Sequence, residues 1–103
     1  MEDNSIYITI DHLNEFGCTV FLRPGDRLVL KKDRDNIYDD EAIMVCKEND
    51  TKIGYVANSV HTVARGTCSA GRLYDRIEEE SACIVRFIAE DLLIAQINLI
   101  KRE

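Results

Sequence analysis

One short stretch of the sequence combines residue types that can recognise a sugar or a base. Tyr38 and Asp39 lie near the end of a polar segment, residues 33–40, shortly before an apolar run that begins at Ala42. A tyrosine ring offers a flat surface for stacking, and a carboxylate can accept a hydrogen bond from a hydroxyl. The alternative is structural: Tyr38 would pack on the core, while Asn36 and Asp39 would bind backbone N–H groups of the loop.

The rest of the chain offers little for catalysis. No nucleophile elbow, phosphate-binding loop or zinc-protease motif occurs in the sequence, and His61 has no nucleophile or base at a defensible spacing. The glycine-containing segment 66–72 can present backbone N–H groups to an anion, or it can simply connect two helices, which we favour. We therefore predict a binding protein that is not an enzyme and has no cofactor.

The cysteines predict reduced thiols rather than a metal site or disulfides. The four cysteines are far apart in the sequence, and with the two histidines they show no recognisable ligand spacing. Cys46 and Cys83 lie inside apolar runs, where a thiol behaves as a small hydrophobic group. No bound metal is predicted.

Composition and charge limit the partners of this chain. It has 103 residues, of which 46% are hydrophobic and 31% charged, as expected for one globular domain. No apolar run approaches the roughly 20 residues of a membrane helix, and residues 1–5 do not resemble a signal peptide, so we expect a cytoplasmic protein without membrane contact. The net charge of −6 means that nucleic-acid binding would have to use a small local site.

Period-two alternation of apolar residues predicts a mainly β (α+β) fold. The strands are expected at residues 6–10, 27–31, 42–46, 52–56, 82–88 and 92–100, with a further edge strand possible at 19–22. Pro24 and Gly25 predict a type II turn, and residues 47–51 a hairpin. One short helix is expected from Asn58 or Ser59 to about Arg65, and a second from Ser69 through Ile77. This order favours a small β-barrel or curled antiparallel sheet, with two short helices inserted before the last two strands.

The segment around Tyr38 resembles the HIRAN domain. Pro24-Gly25 matches the turn of that family. Asn36, Tyr38, Asp39, Ala42 and Ile43 match its N-x-Y-D-x-x-A-I box, and Ile53-Gly54-Tyr55 its I-G-Y hairpin. The resemblance is specific over residues 23–65. It implies a barrel akin to an OB-fold, with residues 1–103 forming one HIRAN-like domain whose core spans about 5–100.

The resemblance also implies a function. In members fused to Swi/Snf-type DNA-dependent ATPases, the domain holds a single-stranded DNA end and its 3′-hydroxyl, whereas other members stand alone in bacteria. By this resemblance Tyr38 stacks on a base, Asp39 meets the terminal hydroxyl, and Asn36 belongs to the same box. Tyr55 replaces a histidine of some DNA-binding members, and Asn58 replaces a lysine that contacts phosphate.

The expected partner is therefore single-stranded DNA or a DNA end, with the chain acting as an accessory to DNA-processing or DNA-repair enzymes. We expect Lys32, Arg34 and Arg72 to contact phosphates. The second stacking aromatic of the family has no clear counterpart, because local pairing puts Gly17 near its position. Phe16 or Phe21 would serve if the register shifts.

The main rival is a protein-interaction or self-assembling domain. A curled sheet leaves edge strands, and residues 92–100 would be long enough to pair with another copy of the chain. The charge around Tyr38 discriminates between the two functions. A basic rim favours nucleic acid, and an acidic rim favours a protein partner.

Overall fold

The strands form where apolar residues alternate with polar ones. The computed structural model describes residues 5–11, 13, 22–59, 61–89 and 92–98. Strand β2 (Arg27–Lys32) shows the pattern clearly, because Leu28 and Leu30 are fully buried while Arg27 is exposed. The same alternation places Ile8 and Ile10 of β1 (Ser5–Asp11) in the core.

Six antiparallel strands close into a barrel. The remaining strands are β3 (Ile43–Cys46), β4 (Lys52–Val56), β5 (Glu80–Ile88) and β6 (Leu93–Asn98). Their order around the barrel is β1-β4-β3-β2-β5-β6, and β6 pairs with β1 to complete it. The predicted mainly β barrel is thus confirmed, and the hairpin predicted at residues 47–51 joins β3 to β4.

The prediction of two helices was wrong in one respect. The described residues contain one short helix, α1 (Ala70–Tyr74), which Ser69 caps as predicted. The described residues between Asn58 and Arg65 form turns and bends instead. The Thr62 hydroxyl hydrogen-bonds the Ser59 carbonyl, and the Ala64 N–H donates to Thr9 Oγ1 of β1. These contacts, with the low helix propensity of β-branched residues, explain the difference.

The prediction of a free edge at residues 92–100 was also wrong for the part that the structure describes. Strand β6 pairs with β1 along one side, from Ser5↔Asn98 to Ile10↔Leu93, and with β5 along the other. A strand that is paired on both sides offers no unpaired backbone groups to another chain. The edge strand predicted at residues 19–22 lies outside the described residues, except for Leu22.

Two glycines are required by the backbone around them. Gly25 has a φ of +99°, and the Asp26 N–H donates to the Arg23 carbonyl at 3.0 Å, which confirms the predicted Pro-Gly turn. Gly54 lies where β4 crosses β1. A Cβ there would collide with the backbone carbonyl oxygen of Asp11. A side chain at Gly54 would therefore force β1 and β4 apart.

The described cysteines are free thiols. Cys46 and Cys83 are buried, as the sequence predicted, and Cys68 is half-buried. Burial raises the pKa of the Cys83 thiol to about 12 and also raises the pKa of Cys46. Cys18 and His12 lie outside the described residues. No group of metal-ligating side chains occurs in the described part of the chain, and no helix there is long and apolar enough to cross a membrane.

Candidate nucleic-acid interface

An asparagine fixes the loop that presents Tyr38. Asn36 Oδ1 accepts hydrogen bonds from the backbone N–H groups of Tyr38, at 2.9 Å, and Asp39, at 3.0 Å. Such Asx contacts substitute for backbone hydrogen bonds in a tight loop. With its backbone held in this way, Tyr38 projects into solvent with 92% of its surface exposed. The alternative in which Tyr38 packs on the core is thereby excluded.

Asp39 is oriented by hydrogen bonds to both of its carboxylate oxygens. Oδ1 accepts from the Glu41 N–H at 2.9 Å, and Oδ2 accepts from the Asn58 side-chain amide at 3.2 Å. The loop-stabilising role considered for Asn36 and Asp39 is therefore real. A carboxylate can accept about four hydrogen bonds, so Asp39 retains acceptor capacity for a ligand hydroxyl.

Asn58 links this loop to the helix. Its amide nitrogen donates to Asp39, and its Oδ1 accepts from the Gly71 N–H in α1 at 2.7 Å. Asn58 is thus a neutral bridge between the loop and the helix. It positions Asp39 and supplies no charge for a phosphate.

Tyr55 approaches the same place from the opposite strand. It is half-buried in β4, and its hydroxyl donates to Asp33 Oδ2 at 2.9 Å. The Asn36 amide also contacts Asp33 Oδ2, at 3.4 Å. Asp33 therefore ties the Tyr55 side chain to the loop that carries Tyr38.

These side chains line one open cleft at the junction of β1 and β4. Five of the predicted residues contribute to it: Asn36, Tyr38, Asp39, Tyr55 and Asn58. The remaining lining residues are Asp11, Ala42, Val56, Ser59 and Thr62. Among these described residues there are two carboxylates and no lysine or arginine. The cleft is thus acidic, with aromatic and amide groups, and it carries no cation of its own.

The three predicted phosphate contacts lie elsewhere. Lys32 Nζ lies 4.5 Å from the centre of the Tyr74 ring, and the Arg34 guanidinium lies 6.0 Å from it. Arg34 also forms an ion pair with Glu79, and its guanidinium lowers the pKa of that carboxyl. Arg72 is exposed on α1. None of the three lines the cleft, and their contact with phosphate stays a prediction.

Sequence reasoning missed the contributions of Asp11, Ser59 and Thr62. Asp11 reaches the cleft because it pairs with Tyr55 across β1 and β4. Only the strand pairing could have revealed this neighbour. Phe16, Gly17 and Phe21, which were considered for the second stacking position, lie outside the described residues.

Comparison with known proteins agrees with the motifs. The model of the HIRAN domain family matches residues 6–81, and the chain belongs to this family. The crystal structure of the HIRAN domain of human HLTF is similar, with a TM-score of 0.67 and 18% identity, over 91% of this chain and 73% of that chain. No curated protein matches the chain.

Family membership defines the class of protein. HIRAN is a binding domain rather than a catalytic one, and membership supports a nucleic-acid-binding role for this chain. The structural similarity, at 18% identity, concerns the fold.

Proposed function

We propose that this domain binds the 3′ end of a single-stranded nucleic acid in the cleft. In this proposal Tyr38 stacks on the terminal base, and Asp39 accepts a hydrogen bond from the terminal hydroxyl. The observation that carries it is the fixed pairing of the two residues. One Asn36 oxygen holds both backbones, and both side chains line the same cleft.

The exposure of Tyr38 supports the stacking role. An aromatic side chain that is 92% exposed gains little from the protein's own packing, and its ring is available to a ligand. Tyr55 is proposed to provide a second aromatic contact through its ring, because its hydroxyl already donates to Asp33. Stacking on a base contributes about 1–3 kcal/mol and is tolerant of sequence.

The acidic lining of the cleft meets the expectation stated above for a protein partner, so the nucleic-acid proposal depends on recognition of the strand end rather than of its phosphates. Asp11 and Asp39 line the cleft, and no lysine or arginine does so among the described residues. A carboxylate attracts a hydroxyl donor and repels a phosphate. The cleft is therefore suited to a terminal nucleoside with a free hydroxyl, and we expect modest affinity from this site alone.

A titration of short labelled strands tests this function. Strands labelled at the 5′ end, with either a 3′-hydroxyl or a 3′-phosphate, are titrated with the protein at low salt and followed by fluorescence anisotropy. We expect tighter binding of the hydroxyl form, and DNA and RNA versions show which sugar is preferred. Equal affinity for both ends would contradict the role of Asp39.

One observation favours a second candidate, a protein-interaction module. The acidic lining of the cleft suits a basic peptide with an apolar residue that contacts Tyr38. Since β6 is paired on both sides, this module would use the cleft rather than that strand. The wild-type titration separates the two functions, because a protein-interaction module would bind no strand even at low salt.

A further inference from the structure

A second surface with exposed aromatic side chains lies on the outside of the barrel. Tyr7 of β1, Phe87 of β5 and Ile94 of β6, together with residues 64–67, form a shallow depression that we call the outer groove. Phe87 is 65% exposed and Tyr7 40%. Phe87 lies directly opposite Ile94, and Ile94 in turn lies opposite Thr9 of β1.

An irregularity in β5 creates this surface. Val85 pairs with Ala95, and Phe87 pairs with the next residue of β6, Ile94, so Arg86 is an extra residue in the strand. Simple alternation from the buried Val85 would place Phe87 inside the barrel. The bulge turns the phenylalanine to the outside, where its exposure gives the fold no packing benefit.

The charge of the outer groove is opposite to that of the cleft. Arg65 contributes to its lining, and no aspartate or glutamate does so among the described residues. Arg86 is exposed in the bulge beside Phe87, and its Nε donates to Gln96 Oε1 at 2.7 Å. In a chain with a net charge of −6, Arg65 in the lining and Arg86 next to Phe87 in the strand place positive charge beside exposed aromatic rings.

The segment between Asn58 and Thr67 lies between the two surfaces. Its first part, including Ser59 and Thr62, lines the cleft, and its last part, residues 64–67, lines the outer groove. A strand whose terminal nucleoside occupies the cleft therefore needs to cross only this segment to reach the groove. A strand that followed this path would bring its phosphates near Arg65, whereas no lysine or arginine lines the cleft among the described residues.

We infer that the outer groove binds the upstream nucleotides of a single strand whose 3′ end occupies the cleft. The inference rests on the proposed function for the identity of the ligand. Tyr7 and Phe87 are the stacking surface, and Arg65 contacts phosphate. Aromatic rings combined with cations are the usual composition of a sequence-tolerant single-strand site.

An acidic peptide is the less suitable occupant. Peptides commonly bind a β-domain by adding a strand to a free sheet edge. Ile94 of β6, at the centre of the groove, is paired with Phe87 on one side and with Thr9 on the other, so this strand offers side chains without free backbone groups. Stacking and phosphate contact need only side chains.

The experiment compares two thymidylate strands with free 3′-hydroxyls. One has two nucleotides and the other about 12, a length within the usual range of single-strand site sizes. Both are titrated against the wild type, Tyr38→Ala, Phe87→Ala, Tyr7→Ala and Arg65→Ala. Arg76→Ala is the charge-matched control, because Arg76 is exposed and lines neither surface. Thermal unfolding of each variant confirms that it folds.

Each aromatic substitution in the groove is expected to weaken binding of the longer strand at least about fivefold and to leave the dinucleotide unchanged. Arg65→Ala should reduce the salt slope for the longer strand by about 0.7, and Arg76→Ala should not. Tyr38→Ala should weaken binding of both strands.

The outcomes separate the two proposals. If Tyr38→Ala weakens binding of both strands while the groove variants behave as wild type, the groove is overturned and the cleft stands. If only the groove variants weaken binding of the longer strand and Tyr38→Ala has no effect, the proposed function of the cleft is wrong. The groove then stands as a strand-binding surface. A glutamate-rich peptide is titrated against the same variants. If the groove variants lose binding to this peptide but bind both strands as the wild type does, the groove is overturned as a nucleic-acid site.

Discussion

The cleft and the outer groove present aromatic side chains in opposite electrostatic settings. In the cleft, Tyr38 lies beside Asp39, whose two oxygens are held by Glu41 and Asn58. In the groove, Phe87 lies on a sheet face bordered by Arg65 and Arg86. Both surfaces suit stacking, and among the described lining residues the cleft has two carboxylates whereas the groove has one arginine.

This separation has a physical reason. A cation beside Asp39 would compete with a ligand hydroxyl for the carboxylate oxygens, which together accept about four hydrogen bonds. Arg34 and Glu79 show this outcome elsewhere in the molecule, where they form an ion pair. The neutral Asn58 beside Asp39 orients the carboxylate and leaves acceptor capacity free.

The substitution with the largest expected effect on stability and on binding in the cleft is Gly54→Ala. The new Cβ would collide with the Asp11 carbonyl where β1 and β4 meet, and those strands supply Asp11, Tyr55 and Val56 to the cleft. We expect a loss of about 3 kcal/mol in the free energy of unfolding, measured by chemical denaturation, with weaker binding in the cleft.

Gly25→Ala is the matched control. Gly25 has a positive φ but open space around it, so alanine should cost about 1–2 kcal/mol of stability without touching the cleft. Equal loss of cleft binding in the two variants would mean that general destabilisation, rather than the β1–β4 junction, controls the site.

The next largest effect is expected from Asp39→Ala. Removing the acceptor should cost about 1.5–3 kcal/mol of binding to a strand with a 3′-hydroxyl and should abolish the preference over a 3′-phosphate. Asp39→Asn keeps an oxygen for the Glu41 N–H and shows how much of the loss comes from loop order. Asp40→Ala, at an exposed neighbouring carboxylate, should retain the end preference.

Tyr38→Ala should weaken strand binding by about 1–3 kcal/mol through the lost stacking. Because the side chain is 92% exposed, the free energy of unfolding should change by no more than about 0.5 kcal/mol. Tyr38→Phe should bind nearly as the wild type does. Ile37→Ala removes an adjacent side chain that is 85% exposed, and an equal effect there would show that the loop merely needs apolar surface.

The smallest effect is expected from the Arg34–Glu79 pair, which lies outside both surfaces. Hydrogen bonding to Arg34 lowers the pKa of Glu79, so any stabilisation is present above the ordinary pKa of a glutamate and is lost as the pH falls through the lowered value. Because both side chains are 60% exposed and their attraction is screened by solvent, Glu79→Gln should leave thermal unfolding almost unchanged at neutral pH. A clear drop in the unfolding temperature would show that the pair stabilises the fold.

Short-range patterns in the sequence determined much of this molecule. Alternating apolar residues located the strands, including β4 at Lys52–Val56, because each strand buries one face. The N-x-Y-D segment predicted the Asx contacts of its own loop, in which Asn36 accepts from the Tyr38 and Asp39 N–H groups. These features depend on neighbours within a few residues, so the sequence alone contains them.

The tertiary structure decided which distant residues became neighbours. Pairing β6 on both sides removed the predicted edge, and contacts from Thr9 replaced a predicted helix with turns. The bulge at Arg86 moved Phe87 from the expected core face to the outside. The pairing of β1 with β4 brought Asp11 to Tyr55, while Arg34 pairs with Glu79 and does not line the cleft. Strand register and bulges result from packing across the whole barrel, so the local periodicity of the sequence does not predict them.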